Sequence, residues 1–583
     1  MSGMAFPRWI GWLFCILLAS CGRNESTPAS VSLDPAPAPP SSTTEKTPPE
    51  AAPAPAPAVT PPPPAEAASQ PLGLLHTSGR DIVDDQGRKV ILRGVNLGGW
   101  LVPEGYLLSF KGNVDRPSRI EALIVDLAGE DYAKTFWAAY RQNYTSEDDI
   151  KAIAAAGFNH VRVPLHYRFF LSDKGEDREE GFQLLDHLLE WCDKYRVWVV
   201  LDLHCAPGGQ TGANIDDSVK DTPELWTNPA NQKLTVQFWS RIAARYHDRP
   251  AILGYDLLNE PLKPEFSKYH AQLAPLYRKI IAAIRAVDKK HIVFLEGASW
   301  ANNFKSFTEP FDPNAVYSFH KYSSEVGLSG IQEYLTLGGR HNVPLWCGEF
   351  GENTPLWYSQ CTQLFEDNST GWCFWPWKKL QSDNGCVSIM MPKGYRKIMA
   401  YAKGVGSKPE PAEAIATLDA FLDNLKFAKC ERNDNVINSL FGAIPGTIEA
   451  EDIGFHGEGV SYHDLDVKNE GKAIRIRDGV DIEPSGFNVG WMDDGEWIVY
   501  RIVSRETRDY TISFRVASFI DGGKFSIELD GKPVGVPLDV PSTGGWHRWT
   551  TLSMPKISIP VGVHQLKFVV VNEGLNLDSM TFE

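Results

Sequence analysis

The stretch Ile252-Leu253-Gly254-Tyr255-Asp256-Leu257-Leu258-Asn259-Glu260-Pro261 decides how this chain reads. An apolar, strand-like run stops at an amide, a carboxylate and a proline. A strand buried on both faces of a parallel sheet is a near-continuous apolar run. A proline removes the next ladder donor, so the strand is expected to end there. Glu260 is then delivered to the C-terminal mouth of a sheet or barrel, where α/β folds place their chemistry. Taken alone, Glu260 fits a solvated loop residue equally well, since most glutamates are exposed.

A second carboxylate separates the two readings. In Val343-Pro344-Leu345-Trp346-Cys347-Gly348-Glu349-Phe350-Gly351 another short apolar strand ends in a glutamate, bracketed by glycines that allow close approach. Two glutamates at two strand ends supply what cleavage of a glycosidic bond needs. One protonates the leaving oxygen and the other attacks or activates water.

Outward from these two strands, short apolar runs alternate with amphipathic helical stretches between residues 76 and 405. Candidate strands fall at 90–95, 160–163, 197–203, 252–258, 292–295, 316–319, 345–348 and 371–374. Strands alternating with helices predict a (β/α)8 TIM barrel. A helical pattern at Leu418, Phe421, Leu422 and Leu425 extends this domain to residue 440 and is expected to pack on the barrel's outside. From 446 to 583 the texture changes to short alternating strands, punctuated by Asp-Gly and Gly-Gly turns at 494–495, 521–523 and 530–531. This predicts an all-β jelly-roll sandwich. The chain is therefore read as multidomain, and its 583 residues exceed what one core holds.

The first 21 residues read as a leader: Arg8 precedes an apolar run over 10–19 that is too short to span a membrane. Leu18-Ala19-Ser20-Cys21 resembles a bacterial lipobox, which implies lipidation at Cys21. Gly22 after it favours an outer-membrane or cell-surface destination. The competing reading is an ordinary signal peptide with an incidental Cys21. Residues 22–75 are rich in Pro, Ala, Ser and Thr, with runs such as Pro61-Pro62-Pro63-Pro64, and read as a disordered spacer.

A net charge of −16 without a basic stripe excludes nucleic acid as a partner. The 18 Trp and 19 Tyr supply flat faces suited to sugar rings, although most such residues serve as core. Past Cys21 come Cys192, Cys205, Cys347, Cys361, Cys373, Cys386 and Cys430, an odd set that matches no metal template. Cys205 and Cys347 read as small buried fillers, and Cys373 with Cys386 as a local bridge.

Polar clusters follow the strand ends: Arg93-Gly94-Val95-Asn96-Leu97-Gly98-Gly99-Trp100, Arg162, Asp202-Leu203-His204, His320-Lys321-Tyr322 and Trp375-Pro376-Trp377. With Asn259-Glu260-Pro261 and Glu349, this pattern resembles glycoside hydrolase family 5, a retaining family on a (β/α)8 barrel. The resemblance implies that Glu260 is the acid/base and Glu349 the nucleophile, with Arg162, His204, Asn259, His320, Tyr322 and Trp375 around the reacting sugar. An acid/base must hold a proton near neutral pH, through partial burial and a neighbouring anion. Retention places the two carboxyl groups about 5–5.5 Å apart. The string ending in Leu101-Val102-Pro103-Glu104 is similar to the opening of fungal exo-β-1,3-glucanases, where the Glu matching Glu104 holds the non-reducing-end glucose. This chain departs from that pattern with Pro103-Glu104-Gly105 in place of Leu-Glu-Pro.

In the last domain, Glu449-Ala450-Glu451, Asn488-Val489-Gly490-Trp491, Gly544-Gly545-Trp546 and Asn576-Leu577-Asp578 resemble carbohydrate-binding module family 6. The resemblance implies a structural calcium ion on Glu449, Glu451 and Asp578, and glycan contacts by Trp546 and Asn576, with Tyr462 and Trp491 as further candidates. Ser579-Met580 departs from the usual aromatic pair.

The resulting expectation is an exported, lipid-anchored, monomeric retaining β-glucanase for β-1,3 or β-1,4 linkages, needing no catalytic cofactor and bearing a glycan-binding appendage. The alternatives are a β-mannanase or glucan transglycosylase on the same barrel, and a non-catalytic glycan-capture lipoprotein.

Overall fold

A computed structural model describes residues 72–583, apart from 477, 485 and 486. Cys21 and nearly all of the Pro-rich segment lie outside the described residues. Where the description begins, the chain is already packed: Leu72 and Leu75 are buried.

Eight parallel strands close into a barrel. They are β1 (Arg93–Asn96), β2 (His160–His166), β3 (Trp198–Cys205), β4 (Ile252–Asp256), β5 (Ile292–Glu296), β6 (Ala315–Lys321), β7 (Leu345–Gly351) and β8 (Gly371–Trp375), and β8 pairs back onto β1. β2, β4, β5, β6, β7 and β8 are buried along their whole length, as strands covered by an outer ring of helices must be. The helices take their starts from local chemistry. Ser146 and Asp149 form a reciprocal capping box, and Asn228-Pro229 and Thr354-Pro355 pair a capping side chain with proline at the first helical position.

The lower half of the barrel is a packed core of Leu92, Val200, Leu253, Phe294, Val316 and Trp346. Leu75 and Ile82, from a hairpin formed by His76–Ser78 and Asp81–Val83, belong to the same cluster and close that end. The opposite, C-terminal mouth carries the polar side chains of the candidate site.

The β4 strand differs from expectation at its end. Its ladder stops at Asp256, five residues before Pro261, so the proline does not terminate it. Beyond Asp256 the backbone is held one bond at a time: Leu257 N–H to Phe294 O at 3.2 Å and Asn259 N–H to Leu203 O at 3.1 Å. Glu260 then adopts a left-handed backbone with φ of 43°.

The helix Pro411–Asn424 buries Leu418, Phe421 and Leu422 in the barrel's hydrophobic cluster. The C-terminal domain contains β9 (Gly446–Glu449), β10 (Trp497–Ser504), β11 (Arg508–Ser518), β12 (Gly523–Leu529), β13 (Lys532–Val540), β14 (Gly545–Ile559), β15 (Gly562–Asn572) and β16 (Asn576–Phe582). One sheet carries β10, β15, β12 and β13 with short flanking strands, and the other runs β9, β16, β11, β14. Alternating burial along β10 sends Ile498, Tyr500 and Ile502 into a core shared with Phe514 and Phe582 of the second sheet, which makes a sandwich.

The sandwich docks on the barrel through a partly buried charge cluster. Arg93 grips Glu366 with two 2.7 Å hydrogen bonds, and Arg501 of the sandwich lies 3.3 Å from the same carboxylate. Burial opposes ionisation of Glu366, but the two guanidiniums outweigh it and hold the carboxyl at about 2. Nearby, Phe455 N–H donates to Asp367 at 3.0 Å.

All seven cysteines among the described residues are free thiols. The expected Cys373–Cys386 bridge is therefore absent, and both side chains are apolar fillers.

Candidate active site

The C-terminal mouth of the barrel opens into a cavity of about 650 Å³, within the range of small-ligand sites. Its walls include Glu104, His204, Asn259, Glu260, His320, Tyr322, Glu349 and Trp375, so all but Arg162 of the residues expected around a reacting sugar line it. Arg162 lies behind them, fully buried.

The two glutamates face each other. One oxygen of Glu260, one of Glu349 and a ring nitrogen of His320 lie within 4.8 Å of one another. Glu349 accepts from Arg162 Nη1 at 2.6 Å and from the Tyr322 hydroxyl at 2.9 Å. Glu260 has a different setting, with Oε1 at 2.8 Å from His320 Nδ1. Burial raises the Glu260 carboxyl; His320 pulls it down, and the charges of Glu349 and Glu296 add to the rise, which wins. The two carboxyls are therefore differentiated by their surroundings, as an acid and a nucleophile must be.

His320 sits between carboxylates. Its Nε2 is 3.1 Å from Glu296 Oε1, an ion-pair contact rather than a straight hydrogen bond, and its Nδ1 is 3.5 Å from Glu349. Burial opposes protonation, but these charges outweigh it and lift the imidazole well above its ordinary value. Gly348 makes the approach possible: a Cβ there would meet Ser318 Oγ at 2.6 Å and His320 Nε2 at 3.1 Å.

Arg162 organises the floor. Besides Glu349 it donates to Asp256 at 2.9 Å, to Asn259 Oδ1 at 2.8 Å and to Glu296 at 3.0 Å, and lies 3.2 Å from Asp202. Asp202 in turn holds His204 Nδ1 at 2.7 Å, and the His204 ring stacks on Trp375 with a 4° interplanar angle. The Trp375 indole N–H donates to the Tyr106 hydroxyl.

Glu104 is almost fully buried in the wall, and its Oε1 has no hydrogen-bond partner in the protein. Burial, with the charges of Glu349, Glu260 and Glu352, raises it to about 8 against the pull of His204. A buried oxygen that the protein leaves unsatisfied, on a residue that lines a cavity, calls for an explanation, and a ligand partner would supply one.

Residues 125–381 match the cellulase description of glycosyl hydrolase family 5. The chain is 30% identical over 318 residues to a glucan 1,3-beta-glucosidase of Pichia angusta, covering 50% of this chain and 67% of that protein. The chain belongs to glycosyl hydrolase family 5. The family 5 domain is also 33% identical over 256 residues to a beta-xylosidase of Phanerodontia chrysosporium, and this alignment spans 43% of the present chain and about half of that relative, 52%. It is 26% identical over 311 residues to endoglucanase C of Acetivibrio thermocellus, covering 42% and 88% of the two chains. Residues 468–583 match carbohydrate binding module family 6.

Three residues that the sequence did not single out complete the site: Asp256, Glu296 and Tyr106. Glu296 carried a legible signal, because Ile292-Val293-Phe294-Leu295-Glu296 repeats the apolar-strand-to-glutamate pattern of Glu349. Asp256 lay hidden inside the quoted strand, and nothing local marked Tyr106.

The family 6 domain sorts its candidates differently. Trp546 and Trp491 are exposed, at 39% and 53%, so Trp491 is a surface residue; Phe519 lies beside Trp546 with 6.2 Å between ring centroids. Asn576 is buried, and its amide donates to Glu483 at 2.9 Å and to Trp546 O at 3.1 Å, so it braces the Trp546 loop. Tyr462 is buried, with its hydroxyl accepting from Gly479 N–H at 2.9 Å; it is core, which corrects its assignment as a glycan contact.

The expected calcium ligands fit in part. Burial together with neighbouring carboxylates raises Glu449 and Glu451, and Glu451 Oε1 is buried without a partner, which suits a hard cation. Asp578 does not fit: Arg515 Nη1 stands 2.5 Å from its Oδ2 and already supplies the positive charge.

Proposed function

We propose that the protein is an exported, lipid-anchored retaining β-glucanase that works by double displacement. The observation that carries the reading is the short separation of Glu260 and Glu349, within 4.8 Å between oxygens. Oxygens that approach this closely leave little room for a water between them, which suits attack by a carboxylate. In the first step Glu349 attacks the anomeric carbon while Glu260 gives its proton to the departing glycosidic oxygen, and the C–O bond breaks. In the second, water attacks the same carbon, Glu260 takes the water's proton, and the bond to Glu349 breaks.

Substrate preference leans to β-1,3-linked glucan. Glu104 stands in the cavity wall with an unsatisfied oxygen, as a group that holds a terminal glucose would, and relatives at 30–33% identity are named glucan 1,3-beta-glucosidases. The exposed Trp546, Phe519 and Trp491 support glycan capture by the family 6 domain. Calcium on Glu449 and Glu451 would neutralise that pair and tie down the start of the sandwich. Anchorage through Cys21 would keep the enzyme at the envelope with its polysaccharide.

The test is hydrolysis of laminarin, lichenan and carboxymethyl cellulose by wild type and Glu349→Gln, with the first-formed anomer read by proton NMR. Release of the β-anomer by wild type, and loss of release in Glu349→Gln, is expected. An α-anomer as first product, or equal activity in both proteins, overturns the reading. Fatty-acid labelling that survives Cys21→Ser would remove the lipid anchor from it.

A further inference from the structure

Glu296 ends β5, is completely buried and does not line the cavity, so it cannot touch a substrate. Yet it makes three contacts with groups that do the chemistry or hold it. Its Oε2 accepts from the backbone N–H of Glu260 at 2.6 Å. Its Oε1 lies 3.1 Å from His320 Nε2 and accepts from Arg162 Nη2 at 3.0 Å. Tyr277 fixes the Glu296 backbone in turn by donating to its carbonyl at 2.9 Å.

The first contact matters because of the Glu260 backbone. A left-handed conformation is unfavourable for a residue with a Cβ and persists only where the surroundings hold it. The β4 ladder has already ended at Asp256, so the amide of Glu260 finds its acceptor in a side chain from the next strand. The second contact sets His320. With a carboxylate at Nε2, the imidazole turns Nδ1 toward Glu260 Oε1, 2.8 Å away. One buried carboxylate therefore controls both the backbone and the hydrogen-bond partner of the same glutamate.

We propose that Glu296 is a positioning residue for Glu260, locking its backbone and its facing histidine in the arrangement that presents the carboxyl to the leaving oxygen. The inference rests on the acid/base reading of Glu260 given above. Charged neighbours that share the site are Arg162, Asp202, Asp256 and His320.

The test exploits leaving-group chemistry. A poor leaving group needs the acid; 2,4-dinitrophenolate does not. Wild type, Glu296→Ala, the isosteric Glu296→Gln and the control Glu260→Gln are compared by kcat/KM on laminaritriose and on 2,4-dinitrophenyl β-glucoside. On the trisaccharide, Glu296→Ala is expected to fall about 100-fold, the lower end of what general acid catalysis supplies. On the dinitrophenyl glucoside it should change little, and azide, which needs no base, should raise kcat. Glu296→Gln, which keeps the shape and removes the charge facing His320, should show the same selectivity to a smaller extent and carries the test if the alanine variant does not fold. Equal losses on both substrates, or no loss on either, overturn the proposal. If Glu260→Gln itself is unselective, the acid/base reading fails first and takes the proposal with it. A selective Glu260→Gln beside unselective Glu296 variants overturns the positioning role alone.

Discussion

Arg162 Nη1 lies 2.6 Å from Glu349 Oε1, at the centre of a fully buried cage whose other walls are Asp202, Asp256 and Glu296. One cation thus serves four carboxylates where no water can help. Burial disfavours its charge, but the four anions outweigh burial and lift the guanidinium well above its ordinary value. The cage explains how a strand-end glutamate can stay placed beside a second carboxyl without either swinging away.

Removing that cation should therefore cost both stability and catalysis. Arg162→Met leaves a cluster of buried carboxylates uncompensated, and roughly 3–5 kcal/mol of destabilisation is expected. Arg162→Lys restores charge but not the fork that reaches Glu349, Asp256 and Asn259 together. It should fold nearer to wild type yet remain deeply impaired in kcat. Denaturant unfolding and steady-state kinetics measure the two effects separately.

Glu104 predicts a pH dependence of substrate binding. Burial and the neighbouring carboxylates raise its carboxyl to about 8, so it is protonated at neutral pH and able to donate to a sugar hydroxyl oxygen. The sign for stability follows: its contribution is full below 4.5 and is lost as pH rises through about 8. KM for laminari-oligosaccharides should rise above that pH in wild type and stay flat in Glu104→Gln. Glu104→Ala should raise KM roughly tenfold below about pH 8, the worth of one good hydrogen bond, and the gap to wild type should narrow above it.

The Glu366 cluster predicts that the two domains unfold together. The two guanidiniums hold the folded carboxyl at about 2, below the ordinary 4.5 of a glutamate, so its contribution is present above 4.5 and lost as pH falls toward 2. Glu366→Gln leaves Arg93 and Arg501 facing each other without their anion and should cost about 3–5 kcal/mol. Calorimetry should show one transition in wild type near neutrality and a split into two in the variant.

In the family 6 domain, Trp546→Ala should weaken binding to insoluble β-glucan at least about tenfold, as truncation of an exposed aromatic anchor does. Turnover of soluble trisaccharide should be unaffected. Tyr462→Phe should leave binding unchanged. A glycan-affinity loss in Tyr462→Phe equal to that in Trp546→Ala would contradict the core placement of Tyr462.

Calcium should raise the unfolding temperature of EDTA-treated protein if Glu449 and Glu451 take a cation. Glu451→Gln should abolish the rise. Because Arg515 already satisfies Asp578, Asp578→Asn should leave the calcium response in place, and a loss of response there would show that Asp578 does ligate.

What was legible from residues alone follows the physics of each signal. Strands buried on both faces must be apolar throughout, so all eight barrel strands stand out, with ends shifted by a few residues. Carboxylates that interrupt apolar runs stand out for the same reason, which is why Glu260 and Glu349 were read as a pair and why Glu296 could have been. Asp256 and Tyr106 could not, because their importance comes from strands and loops distant in sequence. The proline at 261 misled about where β4 ends, since a ladder stops when its neighbour diverges, whatever residue follows. Of the two further aromatic candidates, Trp491 lies at the surface and Tyr462 in the core, because an aromatic residue carries no local mark of which side of a sheet edge it faces.

The sequence by itself determined the barrel, the sandwich and the pair of glutamates, because periodicity and abrupt polarity are local properties of a chain. Only the tertiary structure decided what differentiates those glutamates. The approach of their oxygens to within 4.8 Å, the burial that raises Glu260 and the hold of Glu296 on the Glu260 amide all arise between strands. Proton affinity depends on distance and dielectric, and neither exists until the barrel closes.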